Sequence, residues 1–580
     1  MKVKLEIEEM PTREEDGATV ISLPPLSDDQ REEIDPLVPP TSGIRLNVME
    51  KSEPEEFIIT KACQGMFLRI LKAVSIECEK RLGRKMRVLI VSDDRPSCDW
   101  LTDIATKVFA FDGHYIIHQS GPEGTSRLST PYASAAIALN SDIDVVVVLT
   151  ASHNAIIWNG VKFYFQRPIP ISGDLMKDVS RTALELHEVP LANAFEVEKR
   201  DLNAQNNDYI AQLVDKILPI ERLHDANIVF WPMMGESQEL IDLFERYGAH
   251  LHVIQREMDP PDPTHITHEE KEDVEHFMQE TGAKTAVLVD ADRDRVVVVV
   301  QREDEFVELN PNELYTAIHN VLAEQFGLKI VNVRTVPSDP RGDGTALLNF
   351  ITGVGYKHLG VILYLLAGMD IDPSQVTTGV LYVEQSGKLV QLTDEQGVQG
   401  AIRALVDKGT LAIGDTMIMV LWEESGGHTF NILTLNDVTD EGITVSSQLP
   451  LVGDKYPAVA TLLLCELVER GIDLFAQIDR SIISTRTVID ANDQEKVTIM
   501  GNFKSLVGKS VKIGGVDYKV ASFKDNEGEV EVISLSRGKT TIYFRPSGTG
   551  PNIRIYVFGP QETAEEELTK VTNEINTKFR

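Results

Sequence analysis

The sequence predicts an α/β protein: three similar α/β domains with mixed, mostly parallel sheets, followed by a C-terminal α+β domain. Three observations lead there. The chain has 580 residues, enough for three to five domains at ~100–200 residues each. A strand, loop, helix, glycine, strand pattern recurs three times. The last ~100 residues lose that pattern and read as short alternating strands split by glycine turns.

The opening segment, 1–40, reads as an acidic, proline-rich extension, with 11–40 extended or disordered. Domain I is expected over 41–195, where "RVLIVSDDR" (87–95) leads through a helical stretch to "GHYIIH" (113–118). Domain II is expected over 196–308, where "NIVFWP" leads through "SQELIDLFERYG" to "AHLHVI". Domain III is expected over 309–482, where "KIVNVRTVPSD" (329–339) leads into "TALLNFITGVG", read as the helical link. Each is a βαβ signature, which calls for parallel strands with helices on the sheet faces. Domain IV is expected over 483–580 and closes on the helix "TAEEELTKVTNEINTKF", with Thr563 as its N-cap and acids in its first turn.

Composition excludes several function classes. With 56 Lys+Arg against 90 Asp+Glu the formal charge is −34, a field that repels nucleic acid and anionic membrane. A small anionic substrate stays compatible with it where local Arg and Lys outweigh the global charge. Cys63, Cys78, Cys98 and Cys465 show no C-x-x-C spacing, which fits neither a disulfide framework nor a zinc site. The N-terminus has no apolar signal region, and the run "LGVILYLLAGM" (359–369) is far shorter than the ~20 residues of a membrane span. A cytoplasmic location is expected.

Four short stretches carry chemistry. "TASHN" (150–154) ends an apolar strand on Ser152; alone, it is a turn serine and a weak nucleophile. "LVDADRDRVVVVV" (288–300) places Asp290, Asp292 and Asp294 in a tight loop between apolar strands. Three carboxylates so close repel one another unless a cation sits among them, and a hard ion such as Mg2+ takes oxygen ligands. The EF-hand pattern does not fit, since Arg295 stands where it needs Gly and Gln301 where it needs Glu. "VLWEESGGHTF" (420–430) offers Glu423, Ser425 and His428 to sugar hydroxyls. "YFRPSGTGPNIRIYVFG" (543–559) surrounds glycines with Arg545, Ser547, Thr549 and Arg554, a cradle for phosphate.

In this order and spacing, the four stretches resemble the α-D-phosphohexomutase family of phosphoglucomutases, phosphomannomutases and their amino-sugar relatives. "TSGIR" (41–45) and "TGVGYKHL" (352–359) add two further matches, and the resemblance runs from Thr41 to the C-terminus. It implies three α/β domains of one topology and a smaller fourth around a central cleft. It implies interconversion of hexose 1-phosphate and hexose 6-phosphate, an isomerase reaction, through a phosphoserine at Ser152 and a hexose 1,6-bisphosphate that also serves as activator. Mg2+ would be held by Asp290, Asp292, Asp294 and the Ser152 phosphate. Arg45, His153 and Lys162 become candidates for proton transfer and charge stabilisation. Lys357, Glu423, Ser425, His428, Arg545, Ser547, Gly548, Thr549 and Arg554 become candidate substrate ligands. The expected assembly is a monomer or homodimer. Against the family pattern, Leu46, Ala155, Trp422 and Gly550 are substitutions and Gly427 is an added residue. The neighbouring readings are a hexose-bisphosphate synthase and a non-catalytic sugar-phosphate sensor or scaffold.

Overall fold

The computed structural model describes residues 4–34, 43–53, 55–171, 173–369, 381–385, 388–392, 395–439, 442–524, 529–547 and 552–579. Three of its sheets share one topology. In the first, the strand Arg87–Ser92 lies between Tyr115–Gln119 and Val145–Leu149, all parallel, and Trp158–Phe165 returns antiparallel beside Val145–Leu149. In the second, Asn227–Trp231 lies between His250–Val253 and Thr285–Val289, and Val296–Arg302 returns antiparallel. In the third, Ile330–Thr335 lies between Leu348–Thr352 and Thr416–Trp422, and His428–Thr439 returns antiparallel. The central strands are mostly apolar, as burial on both faces favours: Val145–Leu149 and Thr285–Val289 are buried at every position.

This shared topology positions the chemistry. In each sheet the third parallel strand runs directly into its antiparallel partner. The connections are 150–157, 290–295 and 423–427, which are the Ser152, acid and "EESGG" stretches. Each contains a residue in the left-handed region: Ser152 (φ 55°), Arg293 (φ 59°) and Gly426 (φ 107°). For the two non-glycines this conformation costs roughly 1–3 kcal/mol, and the surroundings must impose it.

The fourth sheet is antiparallel throughout, in the order Ile482–Asp490, Asn552–Pro560, Thr540–Pro546, Val530–Arg537, Val516–Lys524, Ser510–Ile513. The helices Asp493–Lys504 and Ala564–Glu574 pack against it. Thr563 takes the N-cap position of the latter, but its hydroxyl does not cap the helix; it donates to Pro560 O instead.

Two expectations are corrected. The "TALLNFITGVG" stretch is not a helix: Leu348–Thr352 is a buried strand, and the helix follows at Tyr356–Leu366. The apolar run 347–352 is long enough for one strand and flanked by glycine, which periodicity alone does not separate from a helix. The described part of the N-terminal segment, 4–34, is not the extended or disordered lead-in expected. Lys4–Ile7 pairs in parallel with Glu56–Ile59, and the hairpin Thr12–Glu15/Ala18–Ser22 adds to Glu188–Ala192. Its few apolar residues are spent on one face, with Ala18, Val20, Ile21 and Ile34 buried. Arg69, on the helix Lys61–Leu82, donates to Pro24 O at 2.9 Å and also to Leu186 O. At Gly65, on the same helix, a Cβ would come within 2.9 Å of Pro24.

Candidate active site

Ser152 is set by its neighbours rather than by its own preference. Thr150 Oγ1 accepts from Ser152 N (2.8 Å) and donates to Asp93 Oδ2 (2.7 Å). Arg95, fully buried, is the staple of the loop. It donates to the carbonyls of Ser152 (2.5 Å), Asn154 (2.7 Å), Ala155 (2.8 Å) and Trp158 (3.1 Å), and pairs with Asp93 (3.2 Å). Charge-assisted bonds of this kind can hold a left-handed serine. The result aims Ser152 Oγ out of domain I: it donates to Asp290 Oδ2 at 3.1 Å and lies 3.4 Å from His153 Nδ1.

The acid loop is folded by its own carboxylate. Asp290 Oδ1 accepts from the amides of Asp294 (3.0 Å) and Arg295 (3.2 Å). Arg293, left-handed, turns its guanidinium away, to Ser237 Oγ (2.7 Å) and Asp94 (2.5 Å). The three aspartates therefore face one side, with ligand oxygens all within 4.8 Å of one another. Lys162 Nζ bridges Asp292 (2.9 Å) and Asp294 (3.0 Å), and Thr130 Oγ1 donates to Asp292 Oδ2 (2.8 Å).

Charge in this region is unevenly shared. Burial, then Asp292 and Asp294, push Asp290 well above the usual carboxylate range. Burial also works against Asp294, but Lys162, Lys455 and Arg295 outweigh it and hold that carboxyl well below the range. Burial opposes Lys162 as well, and Asp292 and Asp294 overcome it, so this lysine stays charged. His153 goes the other way: burial, then Arg295 and Arg45, push it well below its ordinary value, so it is neutral. Burial and Arg295 push Arg45 down; its Nε is buried without a hydrogen bond. Asp292 Oδ1 and Asp294 Oδ1 are likewise buried without a hydrogen bond. Two orphaned carboxylate oxygens beside a third acid are the donor set a hard divalent cation takes.

The 423–427 connection meets the acid loop. Ser425 Oγ donates to Glu423 Oε1 (2.5 Å), and Lys455 Nζ lies between Glu423 (2.9 Å) and Asp294 (3.4 Å). Gly426 sits against Arg295, and Tyr315 donates to its carbonyl. Glu424, buried, accepts from Thr335 Oγ1 (3.3 Å). His428 is a correction. It does not present a donor to a ligand. It starts the strand His428–Thr439, pairs across to Trp422, and its ring is fully buried against Tyr315, His319 and Phe430. Its Nε2 lies 2.8 Å from Nε2 of His319.

Two further groups lie outside this cluster. Lys357 is buried in the first turn of the helix Tyr356–Leu366, behind Gly355 (φ 130°). Burial pushes it down to about 8, with Glu531 the opposing charge. Arg545 and Arg554 face each other across the last hairpin, with Ser547 N donating to Asn552 O (2.9 Å). Gly548 and Thr549 lie outside the described residues. Arg545, Arg554 and Glu424 all act on the buried Tyr556, which ties the hairpin to the 423–427 connection. From the same sheet, Arg486 donates to Thr264 Oγ1 (3.1 Å), whose neighbour Asp262 acts on His153.

The comparisons with known proteins agree with this arrangement. Residues 38–189 match the family model for phosphoglucomutase/phosphomannomutase, alpha/beta/alpha domain I. A phosphoglucomutase of Staphylococcus saprophyticus is 26% identical over 478 residues, 76% of this chain and 77% of that protein. The domain I match and this relative support an α-D-phosphohexomutase. A phosphoglucosamine mutase of Thermodesulfovibrio yellowstonii is 25% identical over 247 residues, 40% of this chain and about half (51%) of that relative. The fold extends over nearly the whole length of two solved structures. One is a phosphoglucomutase/phosphomannomutase family protein from Burkholderia thailandensis (TM-score 0.60, 15% identity, 93% of this chain and 98% of that one). The other is parafusin, a phosphoglucomutase from Paramecium, in an open form (TM-score 0.60, 16% identity, 99% and 97%). The motif residues Ser152, the three aspartates, Glu423 and Ser425 converge through three connections of equivalent topology. The motifs did not point to Arg95 and Lys455, single cations whose sequence neighbourhoods carry no spacing signal; Arg295 closes the acid stretch, whose motif gave it no role of its own.

Proposed function

We propose that this chain interconverts hexose 1-phosphates and hexose 6-phosphates, with glucose phosphates as first substrates and mannose phosphates next, through a phosphoserine at Ser152 and a hexose 1,6-bisphosphate. The observation that carries the reading is the 3.1 Å approach of Ser152 Oγ to Asp290: a hydroxyl from one domain, held in a strained conformation, against an acid triad from the next.

Asp290, Asp292 and Asp294 would hold Mg2+. When bound it would supply Lewis-acid stabilisation of charge on the transferring phosphoryl group. The rest falls to the chain's own groups. The P–O bond to Ser152 Oγ breaks as the sugar hydroxyl oxygen forms its bond to phosphorus; the hydroxyl proton leaves to a base, which returns a proton to the freed Ser152 Oγ. His153 is suited to accept it, being neutral and 3.4 Å from Ser152 Oγ. Lys162, held charged by two aspartates, is suited to stabilise the developing charge rather than to move a proton, and Arg45 supports it. Glu423 and Ser425 would take ring hydroxyls. Lys357 and the Arg545/Ser547/Arg554 hairpin would grip the non-reacting phosphate. The bisphosphate must then turn over, so that its other phosphate returns to Ser152.

The test is an interconversion assay on glucose and mannose 1- and 6-phosphates with Mg2+ and a trace of bisphosphate, paired with mass spectrometry of the Ser152 peptide. Phosphate on Ser152 is expected, with turnover falling at least about 1,000-fold in Ser152→Ala. Full activity in that variant would end the phosphoserine mechanism.

A further inference from the structure

The added glycine of the 423–427 connection has a partner elsewhere in the chain. At Gly427 the backbone needs no left-handed freedom, but a Cβ there would meet Lys455 Cε, Cγ and Cδ at 2.7, 2.7 and 2.8 Å. Glycine stands at 427 because the stem of Lys455 lies across it. Lys455 is fixed from the other side too, since Tyr456 N donates to His428 O (2.7 Å) and its neighbour Asp454 accepts from Tyr164 OH (2.6 Å). Its ammonium ends between Glu423 Oε1 (2.9 Å) and Asp294 Oδ2 (3.4 Å), with only 13% of the side chain exposed.

We infer that Lys455 is a positioning residue that couples the 423–427 connection to the acid loop, holding Glu423 in place as a hydroxyl acceptor while competing with a divalent cation for Asp294. The inference rests on the proposed roles of Glu423 and of the aspartates. Two consequences follow from the geometry. A cation arriving at Asp294 repels the ammonium and favours its bond to Glu423, so metal occupancy and sugar grip rise together. Without that cation, Lys455 and Lys162 together neutralise Asp294, so the loop keeps its shape before metal arrives.

Four variants test this: Lys455→Met, which keeps the stem and removes the charge; Lys455→Ala; Gly427→Ala; and the double alanine variant. The first readout is Mn2+ titration of the dephosphorylated protein by electron paramagnetic resonance. Lys455→Met should bind Mn2+ about tenfold tighter than wild type. The second is a double-mutant cycle on KM and on thermal unfolding. Gly427→Ala should raise KM about tenfold and lower the unfolding temperature when Lys455 is present, and change both by less than its measurement error when Lys455 is Ala, because the stem it clashes with is gone. Unchanged Mn2+ affinity in Lys455→Met, or additive effects in the unfolding cycle, would overturn the inference. Absence of turnover in the wild type would instead overturn the proposed reaction, and leaves the Mn2+ and unfolding arms to decide the role of Lys455.

Discussion

The acid loop and the N-terminus of the helix Tyr356–Leu366 each bury a lysine, and the two lysines behave oppositely. Lys162 touches Asp292 and Asp294 at 2.9 and 3.0 Å, and those charges push it up against burial. Lys357 makes no ion pair among the described residues, sits where a helix presents its own positive end, and is pushed down to about 8 by burial. A buried cation with its counter-charges in place belongs to the architecture of the site. A buried cation without them destabilises the fold and is retained where an incoming anion will supply the partner. On the proposed function, the two regions would separate the groups that shape the reacting end from those that wait for substrate phosphate.

Replacing each lysine by methionine should break or sharpen this contrast. Lys162→Met has the larger expected effect. It strands two buried carboxylates and should destabilise the metal-free protein by about 3–5 kcal/mol in denaturant unfolding. Mg2+ should restore more stability to this variant than to wild type. Turnover should also fall by about 100-fold or more, through loss of charge stabilisation. Equal stability of variant and wild type without metal would show that the aspartates do not depend on Lys162.

Lys357→Met should go the opposite way in stability, gaining about 1–3 kcal/mol at pH 7, because an unpaired buried charge is removed. KM for hexose phosphate should rise at least about tenfold. The sign with pH follows from the depressed value. Between about 8 and the ordinary lysine value of 10.5 the unfolded chain binds more protons than the folded one, so wild-type stability rises with pH across that window and the advantage of Lys357→Met shrinks. If Lys357 grips substrate phosphate as proposed, kcat/KM should show a falling limb near pH 8 as the lysine loses its charge. Lys357→Arg should move that limb upward by more than one unit. A limb that stays put in the arginine variant assigns it to another group.

Why Lys162 and Lys357 were readable from the sequence and Lys455 was not comes down to distance along the chain. Asp290, Asp292 and Asp294 alternate within five residues, so their crowding and the cation they call for were legible before any fold was known. The βαβ repeats were legible for the first two sheets because each helix is followed by a glycine, Gly113 or Gly248, before the next strand. The third sheet moves directly from Ile330–Thr335 to Leu348–Thr352 with only a short 3-10 turn between, and that break in the pattern turned a strand into an expected helix. The N-terminal hairpin was misread on composition. Its stability comes from Glu188–Ala192 and the helix Lys61–Leu82, partners far away in sequence. Arg95 and Lys455 carry no local signal, since what makes them functional is the loop carbonyls or the acids that another segment brings to them.

His428 supplies the smallest effect and the sharpest test of that lesson. By motif it belongs with Glu423 and Ser425; by structure it belongs with His319, Tyr315 and Phe430, and burial pushes both histidines far down, His319 to about 3. Two neutral imidazoles share one Nε2–Nε2 hydrogen bond, and neither Nδ1 is hydrogen-bonded. His428→Phe keeps an aromatic ring among aromatic neighbours and loses that bond, leaving His319 Nε2 unsatisfied, for a loss of about 1–3 kcal/mol in unfolding free energy. KM and kcat should stay within about threefold of wild type, and the pH profile between 5 and 8 should not move, because neither imidazole titrates there. A tenfold rise in KM at unchanged stability would put His428 back among the substrate ligands and would require the 423–427 connection to rearrange when sugar binds.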